Sequence, residues 1–140
     1  MQGLPVGFSN AREPSADTTS VCAPFKTTVG PYSQGIQVGE TLYASGQIAI
    51  NPKTNLIVEG NIKEQTEQVM KNIGAILEAG GYSYSDVVKA TVFITDMSKF
   101  GIVNETYAKY FVSNPPARSC VEVQALPKGA LIEIEVIAHK

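Results

Sequence analysis

The chain has 140 residues, of which 44% are hydrophobic and 17% are charged, a composition that fits one globular domain with a buried core. Its formal net charge of -2 and pI near 5.4 provide no overall basic surface for a phosphate backbone, so nucleic acid is not the expected partner. Cys22 and Cys120 lie far apart in the sequence and the single histidine is His139, which argues against a zinc site and against a disulfide framework.

Residues 1–25 differ from the remainder because they show neither helical nor alternating periodicity. They mix glycine, proline, serine and threonine, which is typical of a flexible N-terminal extension. They lack the continuous apolar segment of a secretory signal, and no apolar run in the chain is long enough to span a membrane. We expect a cytoplasmic protein, with organellar targeting by the extension left open, whose residues 26–140 form a single domain.

Two strands joined by a tight turn are predicted at the start of this domain. Residues 34–38 and 41–50 have the apolar and β-branched content of strands. The dipeptide Gly39-Glu40 between them suits a two-residue hairpin turn. The sequence therefore predicts a β-hairpin over residues 34–50.

An amphipathic helix is predicted between residues 61 and 79. Asn61 followed by Glu64 matches a capping box, and the pair Gly80-Gly81 is typical of a helix C-terminus. The apolar residues that recur with the helical period are Ile62, Val69, Met70, Ile73, Ile76 and Leu77.

A strand over residues 87–95 and a second helix over residues 98–113 are predicted next. The strand alternates, so that Val88 and Val92 share one face and Phe93 lies on the other. The helix has aromatic and apolar residues at helical spacing, and it ends before Pro115 because proline disfavours the α conformation in the preceding residue.

The two C-terminal strands, residues 119–125 and 131–139, carry the charged side chains that suggest chemistry. Side chains two apart on a strand share a face, so Arg118 points the same way as Cys120, and Glu133 the same way as Glu135. If residues 124–130 turn the chain back, Cys120 lies opposite Glu133. An arginine binds a carboxylate and a glutamate moves a proton, but spacing alone favours this chemistry no more than it favours surface ion pairs.

The order of these elements predicts an α+β domain, with two helices on one face of a mostly antiparallel sheet. The opposite face is expected to stay uncovered and to carry Tyr43 and Phe93. Self-association is the expected way to bury these apolar atoms.

Three side chains allow both a functional and a structural interpretation. Ser45 is not in a nucleophile elbow and no histidine is available to activate it, so serine catalysis is not expected. Arg118 would lower the pKa of the Cys120 thiol, yet a lone cysteine in a strand is more often a packed hydrophobe that shapes a pocket wall. Tyr32 fits a pocket wall or a hydrogen-bond donor as well as it fits a packed aromatic residue.

Six motifs in order resemble the RidA (YjgF) family of enamine/imine deaminases, from about residue 26 to the C-terminus. The most specific part is the Arg118-Ser119-Cys120 stretch together with the downstream Ile132-Glu133-Ile134. The motifs are GPYSQG from residue 30, ASGQ from residue 44, NPKT from residue 51, VKATVF from residue 88, PARSCVEV from residue 116 and IEIE from residue 132.

The resemblance implies a chorismate-mutase-like fold with a six-stranded sheet, assembled as a homotrimer with three active sites in clefts between subunits. It implies no cofactor and no metal ion, and a small imine, enamine or keto acid as the ligand. By position it implies that Glu133, Arg118 and Cys120 are catalytic and that Arg118, Tyr32, Ser45 and Asn104 bind the substrate.

The implied reaction is the hydrolysis of intermediates such as 2-aminoacrylate or 2-iminopropionate to 2-keto acids and ammonia, as by a 2-iminobutanoate/2-iminopropanoate deaminase. In this reaction Arg118 binds the carboxylate and Glu133 orients and activates water. Two alternatives stay open. One is a non-catalytic small-ligand-binding or holdase-like protein, and the other is an endoribonuclease or translation inhibitor, which the acidic balance and the lack of a histidine acid disfavour.

Overall fold

The computed structural model describes residues 18–23 and 31–140 of the chain. In this part of the chain two α-helices accompany a six-stranded sheet and a separate two-stranded ribbon. The elements are β1 Thr18–Val21, β2 Gly35–Val38, β3 Thr41–Ala44, β4 Ile50–Asn51, β5 Leu56–Ile57, α1 Ile62–Ala79, β6 Val87–Ile94, α2 Phe100–Ala108, β7 Ala117–Glu122 and β8 Ile132–His139.

The large sheet is mixed, with the strand order β1-β2-β3-β8-β6-β7. All neighbouring strands are antiparallel except β6 and β7, which run parallel. Helix α1 packs against β3 and β8, and α2 packs against α1. The predicted α+β class and mostly antiparallel sheet are confirmed at this level.

The core lies between the helices and one face of the sheet. In β8 every second side chain is buried, as the period of two along a strand requires. Burial of each of the larger ones, Ile132, Ile134 and Val136, stabilises the fold by about 1.5–3 kcal/mol relative to an exposed side chain. The fully buried residues include Leu42, Val69, Met70, Ile73, Ile76, Ala90, Val92, Ile94, Ile132, Ile134 and Ala138.

The ends of α1 follow the sequence prediction. The Asn61 side chain accepts from the Lys63 amide at 3.0 Å, and the Glu64 side chain accepts from the Asn61 amide at 2.9 Å. Gly81 has a φ of 81°, the left-handed conformation that favours glycine. The capping box and the glycine stop are confirmed.

The first strands differ from the prediction. The hairpin turn at Gly39-Glu40 is confirmed, because Val38 pairs with Thr41. The expected strand over residues 41–50 stops at Ala44, after which Gln47 and Ile134 exchange two backbone hydrogen bonds in an isolated bridge. Within the segment expected to be flexible, residues 18–21 form β1 on the edge of β2, and residues 1–17 and 24–30 lie outside the described residues.

Two further boundaries are corrected. A register shift in β6 buries Val87 and exposes Val88, so the expected face of Val88 is wrong. Helix α2 spans Phe100–Ala108 rather than residues 98–113. A separate 3₁₀ turn at Met97–Lys99 precedes it, because the Asp96 side chain caps the amide of Ser98.

The expected pairing of the two C-terminal strands is wrong. Strand β6 lies between β7 and β8, and Val92 pairs with Cys120 on one side and with Ile134 on the other. The physical reason is α2. It connects β6 to β7 as a helical crossover, and a crossover of this kind places the second strand parallel to and beside the first.

Candidate active site

A cavity of about 460 Å³ surrounds Arg118 at the end of α2. We call this cavity and its lining the arginine half-site. Its position follows from the crossover, which sets the first residues of β7 beside α2. The lining residues are Asn104, Tyr107, Ala108, Phe111, Pro115, Pro116 and Arg118.

Three side chains of α2 hold the Arg118 guanidinium. Nη1 donates to Oδ1 of Asn104 at 2.8 Å. The guanidinium carbon lies 4.8 Å from the ring centroid of Tyr107 and 5.3 Å from that of Phe100. Arg118 and Asn104, both predicted from the sequence, are thus brought together.

Cys120 lies on the same sheet face as Arg118 but lines neither of the two cavities described here. Burial raises the pKa of its thiol, and the positive charge of Arg118 opposes this only in part. Arg118 therefore acts on this pKa in the expected direction, but the net shift is upward because burial outweighs the charge. The thiol is held in its neutral form.

A second cavity, of about 330 Å³, lies beside Glu133. We call it and its lining the glutamate half-site. The predicted residues Tyr32, Ser45 and Glu133 meet here. The full lining is Tyr32, Ser45, Gly46, Gln47, Ile48, Ile50, Pro127 and Glu133.

The Glu133 carboxyl group is partly buried. Desolvation raises its pKa, and the negative charge of Glu135 raises it further. Gly46 lies directly against the Glu133 side chain, and a Cβ at position 46 would overlap the carboxyl group. A glycine is therefore needed at position 46 for Glu133 to take this position.

The other two predicted residues of this half-site differ in exposure. The Ser45 hydroxyl donates to the carbonyl oxygen of Ser33 at 2.6 Å, which fixes the serine as part of the wall. Tyr32 is 46% exposed and is part of the cavity lining. Of its two interpretations, the pocket wall agrees with this placement better than a packed aromatic residue does.

The two half-sites lie on opposite faces of the sheet. Arg118 pairs with the buried Ala90, and its side chain contacts α2 on the helix-covered face. Glu133 pairs with Phe93, on the face that carries Tyr43. The conditional placement of Cys120 opposite Glu133 within one chain is therefore wrong, and the expectation that Arg118 and Glu133 meet in a cleft between subunits stays a prediction.

Sequence reasoning missed four residues that shape these half-sites. Phe100 and Tyr107 lie four and three residues from Asn104 on the same helix. Side chains at this spacing share a helix face, so the two rings could have been predicted to lie beside any partner of Asn104. Gly46 and Gln47 belong to a motif that was recognised, but the contact of Gly46 with Glu133 depends on strands distant in sequence.

Within residues 18–23 and 31–140 no group of three or more His, Cys, Asp and Glu side chains is arranged to hold a metal ion. In the same part of the chain no helix has both the length and the apolar character for a membrane span.

Comparison with known proteins identifies the family. The sequence model described as Endoribonuclease L-PSP matches residues 23–140. The chain therefore belongs to the endoribonuclease L-PSP family, also called the RidA or YjgF family, which confirms the resemblance in the six motifs.

Three relatives show how far the similarity extends. RutC family protein PH0854 of Pyrococcus horikoshii is 58% identical over 80% of this chain and 89% of its own. The human protein named 2-iminobutanoate/2-iminopropanoate deaminase is 48% identical over 79% of this chain and 80% of its own. The structure of E. coli TdcF with bound serine is 37% identical, has a TM-score of 0.83, and is matched over 87% of this chain and 98% of its own.

Proposed function

We propose that this protein is a hydrolytic deaminase that converts reactive enamines and imines, of the 2-aminoacrylate and 2-iminopropionate type, to 2-keto acids and ammonia. The observation that carries the proposal is the pair of cavities, one with an ordered guanidinium and one with a partly buried carboxyl group. The human relative that is named 2-iminobutanoate/2-iminopropanoate deaminase supports it.

The complete site forms between two protomers of a homotrimer. Arg118 and Asn104, with the neutral Cys120 close by, come from one protomer, and Glu133, Ser45 and Tyr32 come from its neighbour. Their separation onto opposite sheet faces of one protomer supports this arrangement. The uncovered face also supports it, because Tyr43 is 49% exposed there and an assembly would bury such apolar area.

The arginine half-site binds the substrate carboxylate. A guanidinium offers two parallel N–H donors to a carboxylate, and this bidentate contact fixes the carbon next to it. Serine, the molecule bound to TdcF, likewise has a carboxylate beside the carbon that bears nitrogen. The aromatic and proline lining around Arg118 accepts the apolar part of the substrate.

Glu133 transfers the protons. It takes a proton from water as the water oxygen bonds to the imine carbon and the π electron pair moves to nitrogen. The protonated Glu133 then gives this proton to the nitrogen. The hydroxyl of this intermediate then gives its proton, by way of the Glu133 carboxylate, to the leaving nitrogen. The C–N bond breaks with its electron pair on nitrogen and the C=O bond of the ketone forms, so imine and water yield keto acid and ammonia.

The reaction needs no activated nucleophile, because water is the attacking group. This agrees with the raised pKa of Cys120 and with the hydrogen bond that ties the Ser45 hydroxyl to the wall. The protein needs only to position the substrate and to transfer protons, and general acid–base catalysis by itself raises the rate by about 100- to 10,000-fold.

The test is a coupled assay combined with complementation between variants. An amino acid oxidase makes 2-iminobutanoate, and release of 2-oxobutanoate is measured with and without the protein. Arg118→Ala and Glu133→Gln should each lose at least about 100-fold in kcat/KM. Co-expression of the two variants should restore roughly a quarter of the wild-type activity, since each site takes its two residues from different protomers.

The control for complementation is Arg118→Ala co-expressed with a variant that carries both Arg118→Ala and Glu133→Gln. No protomer of this mixture has Arg118, so it should stay inactive. Failure of the two single variants to complement would contradict a site shared between protomers. A wild-type protein that binds 2-oxobutanoate without hastening its release would favour the non-catalytic binding protein, and cleavage of added RNA would favour the ribonuclease.

A further inference from the structure

Helix α2 presents one face to Arg118, and three side chains of this face contact the guanidinium. Phe100, Asn104 and Tyr107 are spaced four and three residues apart, so they lie in a row along the helix. The row runs beneath a side chain that comes from β7, after the crossover. No other arginine lies in the described part of the chain.

The hydrogen bond to Asn104 does not by itself fix the guanidinium. A single contact at Nη1 leaves the planar group free to rotate about that bond, and a free arginine side chain samples many rotamers. Two aromatic rings within 5.3 Å of the guanidinium carbon restrict this rotation, because a cation over a ring face is attracted to the electron-rich face. Bidentate binding of a carboxylate requires a guanidinium whose plane is already set.

We propose that Phe100 and Tyr107 are positioning residues that set the plane of the Arg118 guanidinium for a substrate carboxylate. The inference rests on the proposed function in that it takes Arg118 as the carboxylate-binding group. It adds that α2, rather than β7 alone, determines how well carboxylates bind.

The Tyr107 ring, and not its hydroxyl group, makes the contact. Tyr107 is only 6% exposed, and its hydroxyl has no hydrogen-bond partner among the described residues. The ring also packs against Phe111, with the two centroids 4.7 Å apart. Phenylalanine at position 107 therefore retains the contact with Arg118, and leucine removes it.

The chain contains a matched control at Tyr82. This tyrosine is 5% exposed, its hydroxyl has no partner among the described residues, and the Lys140 ammonium lies 4.6 Å from its ring centroid. Tyr82 lines neither half-site. Tyr82→Leu thus removes a similar ring and a similar cation contact without touching Arg118.

Two measurements test the inference. The first is the NMR chemical shift of the Arg118 Nε–Hε group, which the ring currents of Phe100 and Tyr107 should displace from the value of a free arginine. The sequence has arginine only at positions 12 and 118, so the Arg12→Lys variant identifies which signal belongs to Arg118. The second is the calorimetric Kd for 2-oxobutanoate. Tyr107→Leu should reduce the displacement of this signal and raise the Kd about tenfold, since one of the two cation–ring contacts is lost.

Tyr107→Phe should retain the displaced signal and restore the affinity, and Tyr82→Leu should leave both measurements as in the wild type. If Tyr107→Leu does not fold, Phe100→Leu at a partly buried position makes the same test. An undisplaced Arg118 signal in the wild type, or equal loss of affinity in Tyr107→Leu and Tyr82→Leu, would overturn the inference.

The imine assay separates this inference from the proposed function. A wild type that does not hasten imine hydrolysis refutes the deaminase, while the ring-dependent signal and Kd still support positioning by α2. A wild type that does not bind 2-oxobutanoate overturns the role of the rings in carboxylate binding.

Discussion

The Glu133 carboxyl group lies in surroundings that disfavour its charged form. Burial has the larger effect and Glu135, two residues along the same strand face, has the smaller one, and both raise the pKa of Glu133 above the ordinary value of 4.5. A carboxyl group with a raised pKa exchanges protons with water and nitrogen more readily near neutral pH. The same surroundings therefore suit Glu133 to both halves of the proposed reaction.

Glu135→Gln should move the acid limb of the kcat profile to lower pH. Glu133 accepts a proton only when it is ionised, so the rate rises as the pH increases through its pKa. Removing the negative charge at Glu135 lowers that pKa, because one of its two causes is gone. Glu78→Gln, an exposed change on α1 with the same charge difference, should leave the limb in place. An unmoved limb in Glu135→Gln would contradict the role of Glu133 as the base.

At the scale of elements, α1 supports the glutamate half-site from the far side of the sheet. The buried Asn72 side chain donates to the carbonyl oxygen of Ile48 at 3.3 Å and to that of Ile50 at 2.9 Å. Both isoleucines line the cavity beside Glu133. Strand β3 ends at Ala44 and the chain pairs with β8 again only at the Gln47–Ile134 bridge, so the helix supplies donors to the carbonyl groups of Ile48 and Ile50.

Asn72→Ala should lower the free energy of unfolding by about 1–3 kcal/mol, because the buried Ile50 carbonyl loses a donor and the partly buried Ile48 carbonyl keeps only the Ile50 amide. Urea denaturation of wild type and variant at equal protein concentration measures the change. Lys71→Ala, the exposed neighbour on the same helix, is the control and should change stability by less than about 0.5 kcal/mol. Equal urea midpoints for Asn72→Ala and the wild type would show that the segment over residues 48–50 does not depend on α1.

At the scale of the whole molecule, one face of the sheet is not covered by any helix of the described residues. Tyr43, which pairs with Ile137, is about half exposed on this face, and Phe93 lies on it two strands away. The predicted placement of both aromatic residues is confirmed. Glu133 lies on the same face, so the surface proposed to contact a neighbouring protomer also carries the glutamate half-site.

Tyr43→Glu should dissociate the proposed trimer, because a charge is costly to bury in an apolar interface. Light scattering should find about three times 15.0 kDa for the wild type and a lower mass for the variant. Deaminase activity should fall with the mass. Leu56→Glu, at a residue that is 66% exposed on the separate two-stranded ribbon, is the control and should retain the wild-type mass. A monomeric variant with full activity would contradict the shared site.

Local patterns in the sequence were sufficient wherever one element decides its own structure. The capping box at Asn61, the turn at Gly39-Glu40 and the buried stripe of α1 depend on neighbours within a few residues, so they could be predicted. The motifs around Arg118 and Glu133 identified the family for the same reason. The side chains that carry the proposed chemistry were thus named from the sequence alone.

Only the tertiary structure decided how those side chains are grouped. Strand β6 separates β7 from β8, which places Arg118 with Phe100 and Tyr107 on one sheet face and Glu133 on the other. Strand order depends on where a crossover helix sends the chain, and this results from packing among residues far apart in sequence. The sequence determined which groups are present, and the fold determined that one protomer holds them in two separate halves.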